Sequence, residues 1–353
     1  MFSRHFGCRL SDDYRWRGMR VLVLENEVLR TTVLLDKGAD IAELRYKPRD
    51  LDFLWHSPNP VYYDLPSEPS VGLGEGPFAD FYEGCWQEVL PNAGRTCEWN
   101  GAQFGLHGEV WGLPWEVKVL EDTPARVSVE LSVRCRRMPL RLTRRMTLES
   151  DRAALFLDET LTNESDVELA VMWGHHPAYG EPFLGPSCRL WLPEAKVVVA
   201  DGAGETSRTV GGATFPWPNG VGRDGAPVDI SRIEPKSSRL DEMYYLTDLA
   251  APWYAITNQD LGLGLGMAWR GTAFRCVWYW ASLGGQTTWP AWGRWYTVAL
   301  EPMSGWPALL TNALANGTEL RLGPQATITE AMTAVVLDGP GPIAGVSVDG
   351  GAV

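Results

Sequence analysis

The feature that most constrains the fold is a two-residue alternation of apolar and polar side chains. Between residues 126 and 135, Val127, Val129, Leu131 and Val133 alternate with polar residues. Successive side chains of a β-strand point to opposite faces of the sheet. The pattern therefore predicts an antiparallel strand with one buried face and one solvated face.

Similar patterns recur along the chain, separated by turn-forming residues. Strands are predicted within residues 19–47, 140–148, 155–161, 254–299, 319–322 and 327–337. Residues 58–76 and 200–240 are rich in Gly and Pro and are predicted to be loops, the second with short strands. No stretch of a dozen residues has a convincing helical period with caps. The sequence therefore predicts an all-β protein, a sandwich or barrel-like assembly.

The length of the chain is compatible with either one or two domains. The chain has 353 residues, above the roughly 250–300 residues at which single cores usually stop growing, although large β-sandwiches run long as one domain. No linker is evident between the predicted strands. We therefore expect a single β-sandwich domain over residues 1–353.

Charge and composition narrow the class of ligand. The net charge of −13 repels polyanions, which argues against nucleic acid or an anionic membrane surface as a partner. With 45% hydrophobic residues and 17 Trp, the chain has ample material for a large core. A neutral small molecule is therefore a more suitable ligand than a polyanion for a chain of this charge.

Two further patterns concern location and cysteine chemistry. No apolar run approaches the roughly eighteen residues of a membrane helix, and residues 1–6 lack the apolar core of a signal peptide. The six cysteines include no Cys-x-x-Cys pair, which favours neither a zinc ribbon nor a disulfide framework. A cytoplasmic protein with reduced cysteines is expected.

Three segments distant in sequence place an ionisable group beside turn-forming residues. His175 and His176 lie between two glycines, His107 has glycines nearby on both sides, and Glu301 precedes a proline. Histidine titrates near neutral pH, so a histidine beside a carboxylate can pass protons in both directions. If the fold brings these segments together, they form an acid/base site, with either His175 or His176 as the acid. The alternative is that each group is a structural turn or strand-end residue.

A metal site is another hypothesis from the same residues. His107 and Glu109 would share one face of a strand, and either His175 or His176 could complete a His/carboxylate set. The pattern is short and common, so the expected site contains no metal.

Aromatic residues crowd the segment from Trp269 to Tyr296. Most must belong to the core, because no ligand needs so many. A few, such as Trp278 or Trp280, present flat faces that suit the C–H faces of a sugar.

Taken in order, these residues resemble the aldose 1-epimerases, or galactose mutarotases. The resemblance covers residues 19–337 and is carried by five segments. They are residues 22–46, Glu88-Val89-Leu90-Pro91-Asn92-Ala93-Gly94 with Gly105-Leu106-His107-Gly108, Leu161-Thr162-Asn163-Glu164 leading to His176-Pro177, Leu240-Asp241-Glu242-Met243-Tyr244, and Ala299-Leu300-Glu301-Pro302.

The resemblance implies a fold and a set of roles. The fold is the large antiparallel β-sandwich of the galactose mutarotase-like superfamily. Glu301 is the implied catalytic base and His176 the implied acid. The implied sugar-binding residues are His107, His175, Asp241, Asn92 and Arg95, with Trp278 or Trp280 stacking on the ring.

Two departures from the family pattern indicate a divergent member. His175 stands where the family usually has Asn, and the usual Asn-Arg pair is spaced out as Asn92 and Arg95. A different aldose or a sugar derivative is therefore the expected substrate.

The implied reaction interconverts the α and β anomers of the sugar by general acid/base ring opening. The expected partner is a small-molecule sugar, without a cofactor, nucleic acid or membrane, and a homodimer is one assembly left open. Other hypotheses are a non-catalytic carbohydrate-binding module, a glycoside hydrolase or lyase with Glu109 or Asp241 as second carboxylate, and a metal-dependent sugar isomerase.

Overall fold

The computed structural model describes residues 4–59, 76–339 and 341–353. The predicted loop over residues 58–76 lies mostly outside these ranges. The first nine strands are β1 (Arg9–Ser11), β2 (Arg15–Trp16), β3 (Met19–Glu25), β4 (Leu29–Leu34), β5 (Asp40–Tyr46), β6 (Leu51–Asp52), β7 (Trp86–Val89), β8 (Cys97–Trp99) and β9 (Ala102–Phe104).

The middle of the chain continues this series of short strands. The next nine are β10 (Glu116–Asp122), β11 (Arg126–Arg134), β12 (Leu140–Glu149), β13 (Ala154–Asn163), β14 (Leu169–Val171), β15 (Gly174–Gly180), β16 (Cys188–Trp191), β17 (Lys196–Val199) and β18 (Thr214–Pro216). The last nine are β19 (Asn219–Val221), β20 (Pro227–Asp229), β21 (Leu240–Thr247), β22 (Trp253–Asn258), β23 (Leu263–Trp269), β24 (Cys276–Leu283), β25 (Tyr296–Met303), β26 (Leu320–Leu322) and β27 (Thr327–Asp338).

Helices are few and short in the described ranges. They are α1 (Gly76–Asp80), α2 (Leu310–Asn316) and the 3₁₀ turns Lys47–Arg49, Val110–Gly112 and Lys236–Ser238. Within the described ranges, none of these helices has the length and hydropathy needed to cross a membrane.

Two large antiparallel sheets carry most of the structure. The main sheet has 13 strands and runs β1-β3-β4-β5-β7-β15-β25-β24-β21-β17-β18, with β2 beside β3 and β6 beside β5. The second sheet has eight strands in the order β10-β11-β12-β13-β27-β23-β22-β16. The all-β sandwich predicted from the sequence is confirmed.

The alternating apolar residues of strand β11 form part of one face of the second sheet. Val127, Val129 and Leu131 on β11 are fully buried. Val129 lies opposite Met146 of β12, which is also fully buried. These side chains fill the space between the sheets, because burying apolar surface is the main favourable term in folding.

An ionic cluster lies in the same apolar interior. The Arg144 side chain from β12 donates a hydrogen bond to Glu159 of β13, with 2.7 Å between Nε and Oε1. It also forms an ion pair with Glu88 of β7. His175 of β15 lies 2.9 Å from Glu159, measured from Nε2 to Oε2. Arg144 and Glu159 belong to the second sheet and Glu88 and His175 to the main sheet, so the cluster joins the two sheets.

Removing one charge from this cluster should greatly lower the free energy of unfolding. Glu159→Gln keeps the shape of the side chain but leaves Arg144 with one fewer buried carboxylate. Removing one partner of a buried ion pair costs about 3–5 kcal/mol. We expect urea denaturation to show a loss of about 3 kcal/mol in the free energy of unfolding.

Asp158→Asn provides the matched control, because Asp158 is the exposed neighbour on the same strand. Its effect should stay within about 0.5 kcal/mol. Equal stabilities for the two variants would contradict the role given to the cluster.

Candidate active site

Two central strands of the main sheet bring His176 and Glu301 together. β15 and β25 are antiparallel neighbours, and Ala178 lies opposite Ala299. This register places His176 level with Glu301, on the sheet face that points away from the second sheet. The His176 Nε2 and Glu301 Oε1 atoms are 3.6 Å apart.

A pocket of about 290 Å³ opens over this pair. It is lined by Phe78, Ala79, Tyr82, Gly94, Arg95, Leu106, His107, His176, Met243, Trp278, Trp280, Gln286, Pro290, Trp295, Glu301 and Ala308. The three segments chosen from the sequence for their ionisable groups thus meet in one place. The pocket combines a few polar groups with aromatic walls, which is typical of small-molecule sites.

The local backbone delivers His107 into the pocket. His107 has a left-handed conformation, with φ at 58°. Its backbone N–H donates to the carbonyl of Ala93 at 3.0 Å. A Cβ atom on the next residue, Gly108, would lie 2.1 Å from the carbonyl oxygen of Leu90, so the close approach of these two loops requires glycine.

Aromatic and imidazole rings hold His107 in place. Its ring centroid lies 4.5 Å from that of Phe78 and 5.1 Å from that of His176. Burial lowers the pKa of His107 well below its usual range, and neighbouring His176 lowers it further. The Nδ1 atom of this neutral ring is buried and has no hydrogen-bond partner among the described residues.

Tyr82 is a site residue that the sequence analysis missed. Its hydroxyl oxygen lies 3.4 Å from Nδ1 of His176. Burial raises the pKa of Tyr82 well above its usual range, with Glu301 adding to the rise. Tyr82 therefore keeps its proton and can orient the imidazole. The available signal was the aromatic cluster Phe78, Phe81 and Tyr82 directly after the Gly/Pro-rich segment.

The pair of His176 and Glu301 is strongly shielded from water. Burial raises the pKa of Glu301 well above its usual range. Burial also lowers the pKa of His176 to about 4, although a hydrogen bond with its own backbone partly opposes this. Near neutral pH the pair therefore holds one proton, which lies on Glu301 in the free protein, with neutral His176 across the 3.6 Å gap.

Asp241 and Arg95 lie at the margin of the pocket. Asp241, on β21, lines an adjoining groove rather than the space above His176. Burial raises the pKa of Asp241 to about 6 and Glu242 adds to the rise, while a hydrogen bond with Trp280 lowers it. Arg95 is exposed and lines both the pocket and the groove, as does half-buried Trp280.

The predicted sugar contact of His175 is wrong. The side chains of His175 and His176 point to opposite faces because they are neighbours on a strand. His175 is fully buried between the sheets, where Trp86 Nε1 donates to its Nδ1 at 3.0 Å. Its second nitrogen faces Glu159, so both ring nitrogens have partners away from the pocket.

Asn92 was also predicted to bind the sugar, and the structure gives it another role. Its amide nitrogen donates to the carbonyls of Arg95 at 2.8 Å and Gly105 at 2.9 Å. Its oxygen accepts from the backbone N–H of Leu310 at 3.1 Å. Asn92 is fully buried and ties together the loops that carry Arg95 and His107.

Trp278 and Trp280, the two candidates for stacking on the sugar, differ in exposure. Trp278 lines the pocket but is almost fully buried, and its Nε1 donates to the carbonyl of Gly305 at 3.0 Å. Trp280 is half-buried and borders both spaces. Trp280 therefore offers the larger accessible ring surface.

The metal hypothesis built on His107 and Glu109 is not supported by the geometry. The Glu109 carboxylate accepts from the backbone N–H groups of Arg136 and Arg137, at 2.9 and 3.2 Å. The described residues instead place three potential ligands, Glu88, Glu159 and His175, within reach of one another. Arg144 already supplies the positive charge among those two carboxylates.

Solved structures define the class of the fold. A Klebsiella pneumoniae protein described as a candidate aldose 1-epimerase matches with a TM-score of 0.73, 14% identity, and 94% and 84% of the two chains covered. A Clostridium acetobutylicum galactose mutarotase-like protein matches with a TM-score of 0.66, 12% identity and coverage of 94% and 99%. The chain therefore has the galactose mutarotase-like β-sandwich fold.

Sequence comparison gives the family. The family model described as a domain of unknown function, DUF4432, matches residues 16–336. The chain belongs to this family. No curated protein matches the sequence.

Because His176 and His107 are buried, each should gain its proton at a lower pH than an exposed histidine does. In long-range ¹H–¹⁵N NMR spectra, His176 should stay neutral down to a pH of about 4. His107 should gain its proton well below the usual pH, because burial lowers its pKa and neighbouring His176 lowers it further. Because the unfolded chain protonates His176 near pH 6.5, this group lowers the stability as the pH falls from 6.5 towards 4.

His56 provides the internal control for this titration. Its hydrogen bond to Asp52, at 3.0 Å, raises its pKa above the usual value although burial lowers it. His56 should therefore gain its proton at a higher pH than His176. A midpoint for His176 at or above 6.5 would contradict the electrostatics of the site.

Proposed function

We propose that this protein is an aldose 1-epimerase that interconverts the α and β anomers of a neutral aldose. The observation that carries the proposal is the buried pair of His176 Nε2 and Glu301 Oε1, 3.6 Å apart beneath a pocket with aromatic walls. Anomer exchange needs one group that removes a proton and one that donates a proton, and the pair holds one proton for this task.

The ring-opening step uses both groups at once. In the sugar complex the shared proton moves from Glu301 to His176. Glu301 then removes the proton from the anomeric hydroxyl O1, and His176 donates its proton to the ring oxygen O5. The C1–O5 bond breaks while C1 and O1 form the aldehyde double bond. After rotation about the C1–C2 bond, O5 attacks the other face of C1, and the two protons return to their starting groups.

The geometry of the pair suits two oxygens bonded to the same carbon. O1 and O5 are both attached to C1, so an acid and a base on adjacent strands can reach them together. Because burial raises the pKa of Glu301 and lowers that of His176, one proton remains on the pair near neutral pH and is available for transfer. A dry site also strengthens each electrostatic contact.

Neighbouring residues complete the proposed site. Tyr82 holds the His176 ring through Nδ1, leaving Nε2 for the sugar. His107 lines the pocket and contacts the sugar there. The accessible ring of Trp280 packs against the C–H face of the sugar.

A glycosidase mechanism has less support in this arrangement. Such enzymes usually need two carboxylates that flank the bond to be cleaved. Glu109 is held by backbone amides, and Asp241 lines the adjoining groove. The carboxylate Glu301 instead has a histidine as its nearest catalytic partner.

Removing either member of the pair should abolish most of the activity. Glu301→Gln and His176→Asn keep the approximate shapes of the side chains but lose the base or the acid. General acid/base groups contribute typically about 10²–10⁴-fold, so each variant should lower the exchange rate at least about a hundredfold. NMR exchange or polarimetry on freshly dissolved aldoses measures this rate after the uncatalysed rate is subtracted.

His56→Asn is the matched control, because the His56 side chain is 55% exposed and lies outside the pocket. This variant should exchange anomers at the wild-type rate. Wild-type rates in folded Glu301→Gln or His176→Asn protein would refute the assignment.

A further inference from the structure

The groove beside the catalytic pocket is the larger of the two spaces. Its volume is about 570 Å³, about twice that of the pocket. Arg95, Met243, Trp280 and Ala308 line both spaces, so the groove and the pocket adjoin. The mechanism proposed above uses the pocket and leaves the groove unassigned.

Two tryptophan rings line the groove. Trp280 stands at the boundary with the pocket, and Trp306 lines the groove but not the pocket. Both rings are half-buried. The Trp306 ring packs against Tyr245, with centroids 6.0 Å apart and planes tilted by 33°, which holds the indole in position. Flat, held aromatic faces suit the C–H faces of sugar rings.

Polar groups of the groove suit hydroxyls rather than anions. Asp201, Asp241 and Asn312 offer carboxylate and amide groups that hydrogen-bond hydroxyls. Among the described residues that line the groove, Arg95 is the one Lys or Arg side chain. Three acidic residues, Asp201, Asp241 and Glu242, beside one guanidinium, in a chain of net charge −13, disfavour a phosphate or carboxylate ligand.

The loop over residues 200–204 leaves this space open. A Cβ atom on Gly202 would meet no atom within 4 Å, and one on Gly204 would meet only Thr206 Oγ1, at 3.9 Å. Both glycines line the groove. The low side-chain bulk of this wall leaves room for a ring-sized group.

We propose that the groove binds a second sugar unit, so that the substrate is a neutral reducing disaccharide or longer saccharide. The inference rests on the proposed function: the reducing sugar occupies the pocket over His176 and Glu301. The glycosidic neighbour lies in the groove between Trp280 and Trp306. Its bond to the reducing sugar stays intact during anomer exchange.

The test compares monosaccharides with their own reducing disaccharides. Glucose, galactose, maltose, cellobiose, lactose and melibiose are assayed for anomer exchange by NMR with the full-length protein. At least one disaccharide should give a kcat/KM above that of its reducing monosaccharide. Trp306→Ala should lower kcat/KM for that disaccharide about five- to tenfold and leave the monosaccharide value unchanged.

Asn312→Ala and Asn316→Ala form a matched pair on the exposed side of helix α2. Asn312 lines the groove and Asn316 does not. The first variant should reduce kcat/KM for the disaccharide and the second should not. The inference is overturned if no disaccharide exceeds its monosaccharide, or if Trp306→Ala and Asn312→Ala change both sugars equally.

Calorimetric titration separates this inference from the catalytic proposal. If the wild-type protein exchanges no sugar, the proposed function fails. The binding measurement then still shows whether the groove holds a second sugar unit. A disaccharide that binds more tightly than its monosaccharide, and loses that advantage in Trp306→Ala, supports the second sugar unit. Equal binding of both sugars, or binding of neither, refutes it.

Discussion

The ionic cluster between the sheets is the interaction on which the geometry of the candidate site depends. Arg144 and Glu159 from one sheet meet Glu88 and His175 from the other in a fully buried interior. Such groups are costly to bury and are tolerated when each charge finds partners. The bond from His175 to Glu159 fixes strand β15, and the next residue along that strand, His176, therefore faces the pocket. Burial acts to lower the pKa of both histidines. At His175 the neighbouring carboxylates outweigh burial and raise the pKa, whereas at His176 burial prevails and the pKa is lowered.

Features with a local physical signature could be predicted from the sequence. The alternation of Val127, Val129 and Leu131 reports directly on a half-buried strand, and the absence of helical periodicity excludes long helices. His107, His176 and Glu301 were recognised because each is an ionisable group beside turn-forming residues, and the fold places all three in one pocket.

Features that depend on the packing of the two sheets could not be predicted in this way. Alternation requires His175 and His176 to face opposite sides, but which side is buried depends on the partners Glu159 and Glu88, from other strands. Asn92 was predicted to bind the sugar from the family resemblance. Its structural role could not be predicted, because its backbone partners Gly105 and Leu310 lie in other loops. The groove has no local sequence signature, because β21, helix α2 and the loop near Gly202 form it together.

The assigned chemistry is tested most directly by saturation-transfer NMR on a free aldose and on its methyl glycoside. With the wild-type protein at neutral pH, saturation of the α anomeric proton of the free sugar should pass to the β anomer. The methyl glycoside has no anomeric hydroxyl proton for Glu301 to remove, so it should show no transfer and remain intact. Transfer that does not exceed the uncatalysed rate, or cleavage of the methyl glycoside, would contradict the assignment of His176 and Glu301 as an anomer-exchanging acid/base pair.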